Sequence, residues 1–488
     1  MNKKDILIHI VQILILIIFM CSIVNKEFQN DTYFTIAIGE QVLEHGIEKE
    51  EKLVWHKGLE YTNSRWLFDS TIYTINKYLG FTGIYGFVMI LAVIQGVIWY
   101  LIVNKITKKK IFSFVSTLCT MYLSNYMFFA RAQIISFLIF IIEFYIIEKL
   151  IETNKYRYSV ILILLAILLM NVHASVFPVH FVLYLPYVAE YILYLLKLNK
   201  SDKLIVRNIN IKPIIIIIII TILLGFCMPK GISPYTDMFK VVGGISTEFI
   251  DELQPITIDT NVLFWGSLIM CISILIFTKT KIRVSDGLFI LGFALMSLSA
   301  LRCVYFYYLI AGICIVRLIN DCLEEYNFSF DFINNKVKKY ILMMIYIAVI
   351  IISIRNLFAN LRKDYINTIE YPVSATQYII ENCDTSNMRI FNHFNFGSYL
   401  EFKGIKAFID SRSGIFTEEF NEGVTILEDW INVVEGRENY NTLFNKYNIT
   451  HALLYNDEII SLYIGTDPNW NLIYQDDIFV IYERIEDK

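Results

Sequence analysis

Apolar residues fall along this chain in long, nearly unbroken runs rather than in short amphipathic repeats. "ILIHIVQILILIIFMCSIV" and "PIIIIIIITILLGF" reach or approach the roughly 20 residues a helix needs to cross a bilayer. Such runs predict membrane-spanning helices near 6–24, 82–103, 111–128, 133–149, 158–174, 176–196, 213–228, 261–278, 287–300, 303–320 and 340–357. The linkers alternate in character. Basic ones carry Lys105 and Lys108 to Lys110; then Lys149, Lys155 and Arg157; then Lys197, Lys200, Lys203, Arg207 and Lys212. Lys279, Lys281 and Arg283, and finally Lys336, Lys338 and Lys339, continue the series. Every second linker is basic, and the N-terminus with Lys3 and Lys4 joins that set, so these segments face the cytoplasm. The pattern closes with an odd number of spans, about eleven, which places the C-terminal tail outside.

The outside then receives residues 25–81, residues 229–260 and everything from about 358 onward. The tail changes period. "MRIFN", "KAFID", "HALLY", "NLIYQ" and "IFVIYER" read as strands, separated by the helical "SATQYIIEN" and "EEFNEGVTILEDW". The expected architecture is a polytopic α-helical membrane domain over 1–357 and a small extracytoplasmic α/β domain over 358–488, entered near Pro372.

Composition supports the membrane assignment: 56% of the residues are hydrophobic, only 18% are charged, and mean hydropathy is +0.53. The first run is preceded by Lys3, Lys4 and Asp5 and followed by no small-residue cleavage site, so it reads as a retained anchor. Seven of the eight cysteines avoid the polar tail and none forms a CxxC pair, which argues against a disulfide framework or a zinc site. The isoleucine-rich spans point to a low-GC bacterium, hence its cytoplasmic membrane. Membrane lipids are the expected surroundings, and no nucleic-acid partner is expected.

Candidate chemistry gathers at predicted outer ends. "NDTYFTIAIGEQVLEHGI" places Asp31 just past the first span. Asn30 can cap and Gly46 can end an amphipathic helix there, lying on the outer membrane surface. Asp31 then either favours the helix dipole or serves as a base or metal ligand at the water–lipid boundary. "YTNSRWLFDS" adds Arg65, Trp66 and Asp69: an interfacial belt, or a phosphate partner in Arg65. "FFARAQIISF" puts Arg131 and Gln133 at one outer mouth, "MNVHASVFP" puts Asn171, His173 and Ser175 at another, and "SALRCVYF" adds Arg302. Cations there suit a lipid phosphate or pyrophosphate; snorkelling to lipid headgroups is the plainer reading. Glu248, Asp251 and Glu252 form either a solvated face or a reserve of acids and metal ligands. In the tail, Asp410 and Arg412 follow a strand end, as a binding pair or as a local salt bridge.

Taken together these motifs resemble the GT-C superfamily of membrane glycosyltransferases, and in particular a group of bacterial GT-C-like integral membrane proteins. The resemblance rests on Asp31, Gly39, Val42, Gly46 and Trp66; on Arg131–Gln133–Ser136; on Asn171–His173–Ser175; and on Asp410–Arg412 followed by Phe416. It implies an inverting transferase that uses a polyprenyl-phosphate sugar donor on the outer face, with Asp31 as catalytic base or metal ligand. Arg65, Trp66, Asp69, Arg131, Gln133, Asn171, His173, Arg302, Asp410 and Arg412 would bind substrate. The acceptor would be an envelope glycan, lipid or protein. Where such enzymes present two early acids in the first loop, this chain has Asn30 before Asp31, so a divalent cation such as Mg or Mn stays open, with Asp31, Glu248 and Asp251 as its ligands. Two other classes compete. A lipid-linked glycan flippase or transporter would show charged or broken mid-membrane spans and repeated halves, yet only Glu143, Pro178 and His180 interrupt the midplanes. A non-catalytic envelope scaffold would tolerate Asn at position 31.

Overall fold

The computed structural model describes residues 3–485 apart from 62, 198–201, 230, 242–243 and 328–334, with the backbone alone for a few more, Glu248 among them. The chain divides into two compact units. One comprises 1–26, 85–238 and 250–363; the other comprises 27–84, 239–249 and 364–488.

The first unit is helical. Helix α1 (Lys3–Ile23) packs against Asn335–Arg362, and Gln133–Thr153 packs against Tyr156–Val172, which in turn meets Lys212–Phe226. Among the described residues, five stretches are long and apolar enough to cross a membrane: Ile6–Ile23, Trp66–Thr107, Ala174–Leu195, Leu301–Glu325 and Lys339–Arg362. Five shorter apolar helices accompany them. Their outward residues are apolar, as for Leu7, Ile219, Ile272, Leu295 and Met344, all exposed, which is the surface lipid requires.

Several buried charged residues inside this unit are paired. Glu143 and His180, both fully buried, meet at 2.9 Å. Further along the same helix, Glu148 lies 3.1 Å from Arg283, 3.5 Å from Arg207 and 3.7 Å from Arg317, and accepts from the Tyr187 hydroxyl at 2.8 Å. Arg207 also pairs with Glu190 at 2.9 Å and Arg317 with Asp286 at 2.7 Å. Two of these arginines come from linkers counted above as basic, but they close helix ends onto buried acids. Only such pairing makes charges tolerable at that burial.

The second unit is built on a four-stranded sheet of β1 (Ile390–Asn392), β2 (His451–Tyr455), β3 (Trp470–Gln475) and β4 (Phe479–Arg484), in the order β1-β2-β4-β3. The β1–β2 pair is parallel and the other two are antiparallel. Alternation along the strands sends Phe391, Leu454 and Val480 to one core, with Trp430 and Phe444, and Ile390, Leu453 and Ile481 to the other, with Ile379 and Phe396. Of the expected strands, "KAFID" alone stays out of the sheet, keeping a single bridge between Ala407 and Val54. The Asn392 side chain accepts from the Phe408 amide and donates to the Ile409 carbonyl, each at 2.8 Å, and Trp55 N donates to the Ala407 carbonyl at 3.3 Å. Those groups are satisfied without a ladder.

Helix α2 (Asn30–His45) belongs to this unit and departs from the surface helix expected. Residues Thr32 to Gly39 are all buried, packed against the Gly397–Phe402 helix of the tail. Asn30 does not cap it; Gln29 holds that position without a side-chain bond, and the Asn30 side chain is used elsewhere. Gly46, with φ of 83°, ends the helix as expected. Helix α3 (Trp66–Thr107) is broken at Gly80, where φ of 62° and ψ of −163° demand glycine. A Cβ on Gly39 would stand 2.2 Å from the Asp69 carbonyl oxygen and 2.7 Å from Tyr73 Cβ, so α2 and the start of α3 touch backbone to backbone there. Gly39→Ala is expected to cost about 1–3 kcal/mol of stability by forcing the helices apart. Thermal unfolding in detergent checks this, with Gly86→Ala, where the added methyl meets open space, as the neutral comparison.

Candidate functional site

In the second unit, the first predicted outer loop and the tail fold as one body. Trp55 Nε1 donates to the Ile390 carbonyl at 3.1 Å, His56 Nε2 lies 2.9 Å from the Phe408 carbonyl oxygen, and the Glu60 amide donates to Asn421 Oδ1 at 2.8 Å. Burial holds the His56 imidazole down at about 4, so it stays neutral and donates from Nε2.

Asp31 stands in the first turn of α2, half-buried, where its charge complements the positive end of the helix dipole. Its neighbour Asn30 is clamped by the tail: the Tyr371 hydroxyl donates to Asn30 Oδ1 at 2.5 Å, and Asn30 Nδ2 donates to Asn395 Oδ1 at 3.1 Å. The tail therefore holds the segment that carries Asp31.

Arg65 and Arg412, expected as substrate contacts, both approach the Phe34 ring, with guanidinium carbons 4.2 and 5.6 Å from its centroid. Arg65 is buried, donates to Thr35 Oγ1 at 3.3 Å and pairs with Asp69 at 3.5 Å; Asp69 also accepts from Asn63 at 2.9 Å. Trp66 is half-buried at the start of α3. Arg412 is surrounded by Asp410 at 2.5 Å, Glu51 at 2.6 Å and Glu401 at 2.9 Å, all nearly inaccessible. Burial, then the neighbouring Asp410 and Glu51 charges, hold Glu401 well above the usual carboxylate range against the pull of Arg412. Asp410 and Arg412, read from the sequence as either a binding pair or a local salt bridge, are paired here and joined by two further acids. Gly397 makes room for it: a Cβ there would fall 1.9 Å from the Ile409 carbonyl oxygen.

The first unit holds the other expected residues. Ser136 Oγ and His173 Nδ1 meet at 2.9 Å, both buried, which brings the Arg131–Gln133–Ser136 and Asn171–His173–Ser175 motifs together. Asn171 donates to the Ile167 carbonyl at 2.8 Å, while Gln133 Oε1 is buried with no partner. Arg131 pairs with Glu252 at 2.9 Å, and Arg302 lies exposed within electrostatic reach of both. Asp251 is exposed beside Glu252, and the Glu248 side chain lies outside the described residues. No group of three metal-ligating side chains occurs among the described residues, so Asp31 and Asp251 are not seen as parts of a ready-made cation site.

No protein-family model matches the chain, and no curated protein matches it in sequence. Its structure does have a solved relative in form. The archaeal oligosaccharyltransferase AglB from Archaeoglobus fulgidus, solved in complex with an inhibitory peptide and a dolichol-phosphate, superposes with a TM-score of 0.54 at 8% identity. The match covers 93% of this chain and 70% of that one. The fold is GT-C-like. The GT-C-like body here comprises apolar helices and a small sheet region, the coarse architecture expected from the hydropathy pattern.

Sequence reasoning missed one polar pair in this GT-C-like chain. His393 and Glu458 lie 3.8 Å apart in the second unit, both mostly buried. Burial holds the imidazole at about 4; burial and the adjacent Asp457 charge push the Glu458 carboxyl up to about 8. No spacing marks residues that meet only when a loop after β1 faces the turn after β2. Because the native carboxyl binds its proton more tightly than the unfolded one, stability falls as pH rises from about 4.5 to 8. Glu458→Gln is therefore expected to stabilise the protein at pH 7.5 by on the order of a few kcal/mol, seen as a higher melting temperature, and to change little at pH 4.5. Thermal scans at the two pH values check it.

Proposed function

We propose that this protein is a GT-C-type glycosyltransferase that moves a sugar from a polyprenyl-phosphate-linked donor to an envelope acceptor on the outer face of the bacterial cytoplasmic membrane. The observation that carries the reading is Asp31 on the first turn of α2, a few residues beyond the first apolar helix of a GT-C-like fold and held there through Asn30 by the tail. The AglB neighbour, bound to a peptide and a dolichol-phosphate, supports a lipid-linked donor as the substrate class.

In this reading the Asp31 carboxylate takes the proton of the acceptor hydroxyl or amide as that group attacks the anomeric carbon. The bond from that carbon to the phosphate oxygen breaks on the opposite side, with inversion, and polyprenyl phosphate leaves. Arg65 and Arg412, whose guanidiniums are used inside their own unit, are assigned to shaping α2. The test is mass spectrometry of envelope lipids and surface polymers from cells lacking the protein, complemented with wild type or with Asp31→Asn. A glycan restored by wild type alone supports the reading; restoration by both variants overturns it.

A further inference from the structure

The gap between His393 and Glu458 has the form of a ligand site. His393 Nε2 and Glu458 Oε1 are 3.8 Å apart, too far for a hydrogen bond and close enough for one oxygen atom to reach both. The Asn395 amide donates to His393 Nδ1 at 3.2 Å, which leaves the Nε2 proton pointing at the gap. Glu458 Oε2 is buried with no partner. Both side chains keep some exposure, 20% and 17%, so a ligand atom can enter. The Tyr455 ring stands 5.2 Å from the imidazole, and the core residue Trp430 lies 5.7 Å from it. The same Asn395 holds Asn30, the residue before Asp31.

We infer that His393 and Glu458 form a subsite for an uncharged hydroxyl of the acceptor, the hydroxyl accepting from Nε2–H and donating to Glu458 Oε1. With the imidazole held at about 4 and the carboxyl pushed up to about 8, both groups are mostly uncharged near pH 7, so an anionic acceptor group gains little there. Apolar ring surface beside a few directed polar groups is the arrangement that binds a neutral sugar. Asn395 serves both this subsite and the Asp31 segment, so it ties acceptor binding to the position of the base. The inference rests on the transferase reading. A lone bridging water would satisfy the same two atoms, and the experiment separates the two.

The full-length protein in nanodiscs is supplied with the lipid-linked donor fraction and the acceptor fraction extracted from the deletion strain, and acceptor KM, donor KM and kcat are measured. His393→Phe and Glu458→Leu are expected to raise acceptor KM by about tenfold and to leave donor KM near wild type. Glu458→Gln, which keeps an acceptor and a donor at that position, is expected to recover most of the affinity lost in Glu458→Leu. If both apolar variants keep acceptor KM within twofold while Asp31→Asn abolishes transfer, the subsite is wrong and the transferase stands. That is also the outcome for a water that only serves the fold, which would lower melting temperature without moving KM. If wild type transfers nothing, or Asp31→Asn transfers equally well, both readings fall. Should Glu458→Leu fail to fold, His393→Phe, similar in shape to the imidazole, decides.

Discussion

Arg412→Leu is expected to unfold the second unit at physiological temperature. The guanidinium is the counter-charge for Asp410, Glu51 and Glu401, which are almost wholly removed from solvent. Its removal leaves these buried acids without their counter-charge, a loss of roughly 3–5 kcal/mol for breaking a buried pair. A domain has only about 5–15 kcal/mol in all. The same substitution strips one guanidinium from the Phe34 ring and so loosens α2. Limited proteolysis and thermal unfolding in detergent check this, with cleavage expected first within 46–61 and 403–425. Glu401→Gln is the informative contrast: it keeps the shape and a hydrogen-bond acceptor toward Arg412 while leaving the Arg412 counter-charge to Asp410 and Glu51 in place, and should cost less than Arg412→Leu. Equal damage from both would show that shape, not charge, is at stake.

Asp31→Asn is expected to reduce transfer by about 100- to 10,000-fold, the range lost when a positioned base is removed. The amide keeps the size and the hydrogen-bonding reach of the carboxylate but cannot take a proton. Stability should change little, because a half-buried acid in a first helical turn contributes roughly 0.3–1 kcal/mol through the dipole. Loss of the glycan with an unchanged melting temperature therefore separates chemistry from folding. Retention of the glycan would reduce Asp31 to a helix-start residue and favour the transporter or scaffold reading.

Several features of this protein are determined by the sequence alone. Apolar runs near bilayer length leave a backbone no alternative to helix in lipid, so the membrane helices follow from composition and order. Period-two stretches in the tail likewise predict β1, β2, β3 and β4, because alternation is a local property. The Asp31, Arg131–Ser136 and Asn171–Ser175 motifs stand out because polar residues at the ends of apolar runs are conspicuous. Only the tertiary structure decides the rest, since it depends on residues far apart in the chain. Arg412 meets Glu51, Trp55 occupies the place beside "KAFID", Tyr371 and Asn395 clamp Asn30, and Ser136 meets His173. The amphipathic pattern of α2 marks an apolar face without saying what covers it. The tail covers it: Thr32 to Gly39 are buried against the Gly397–Phe402 helix, which lies far along the chain from α2.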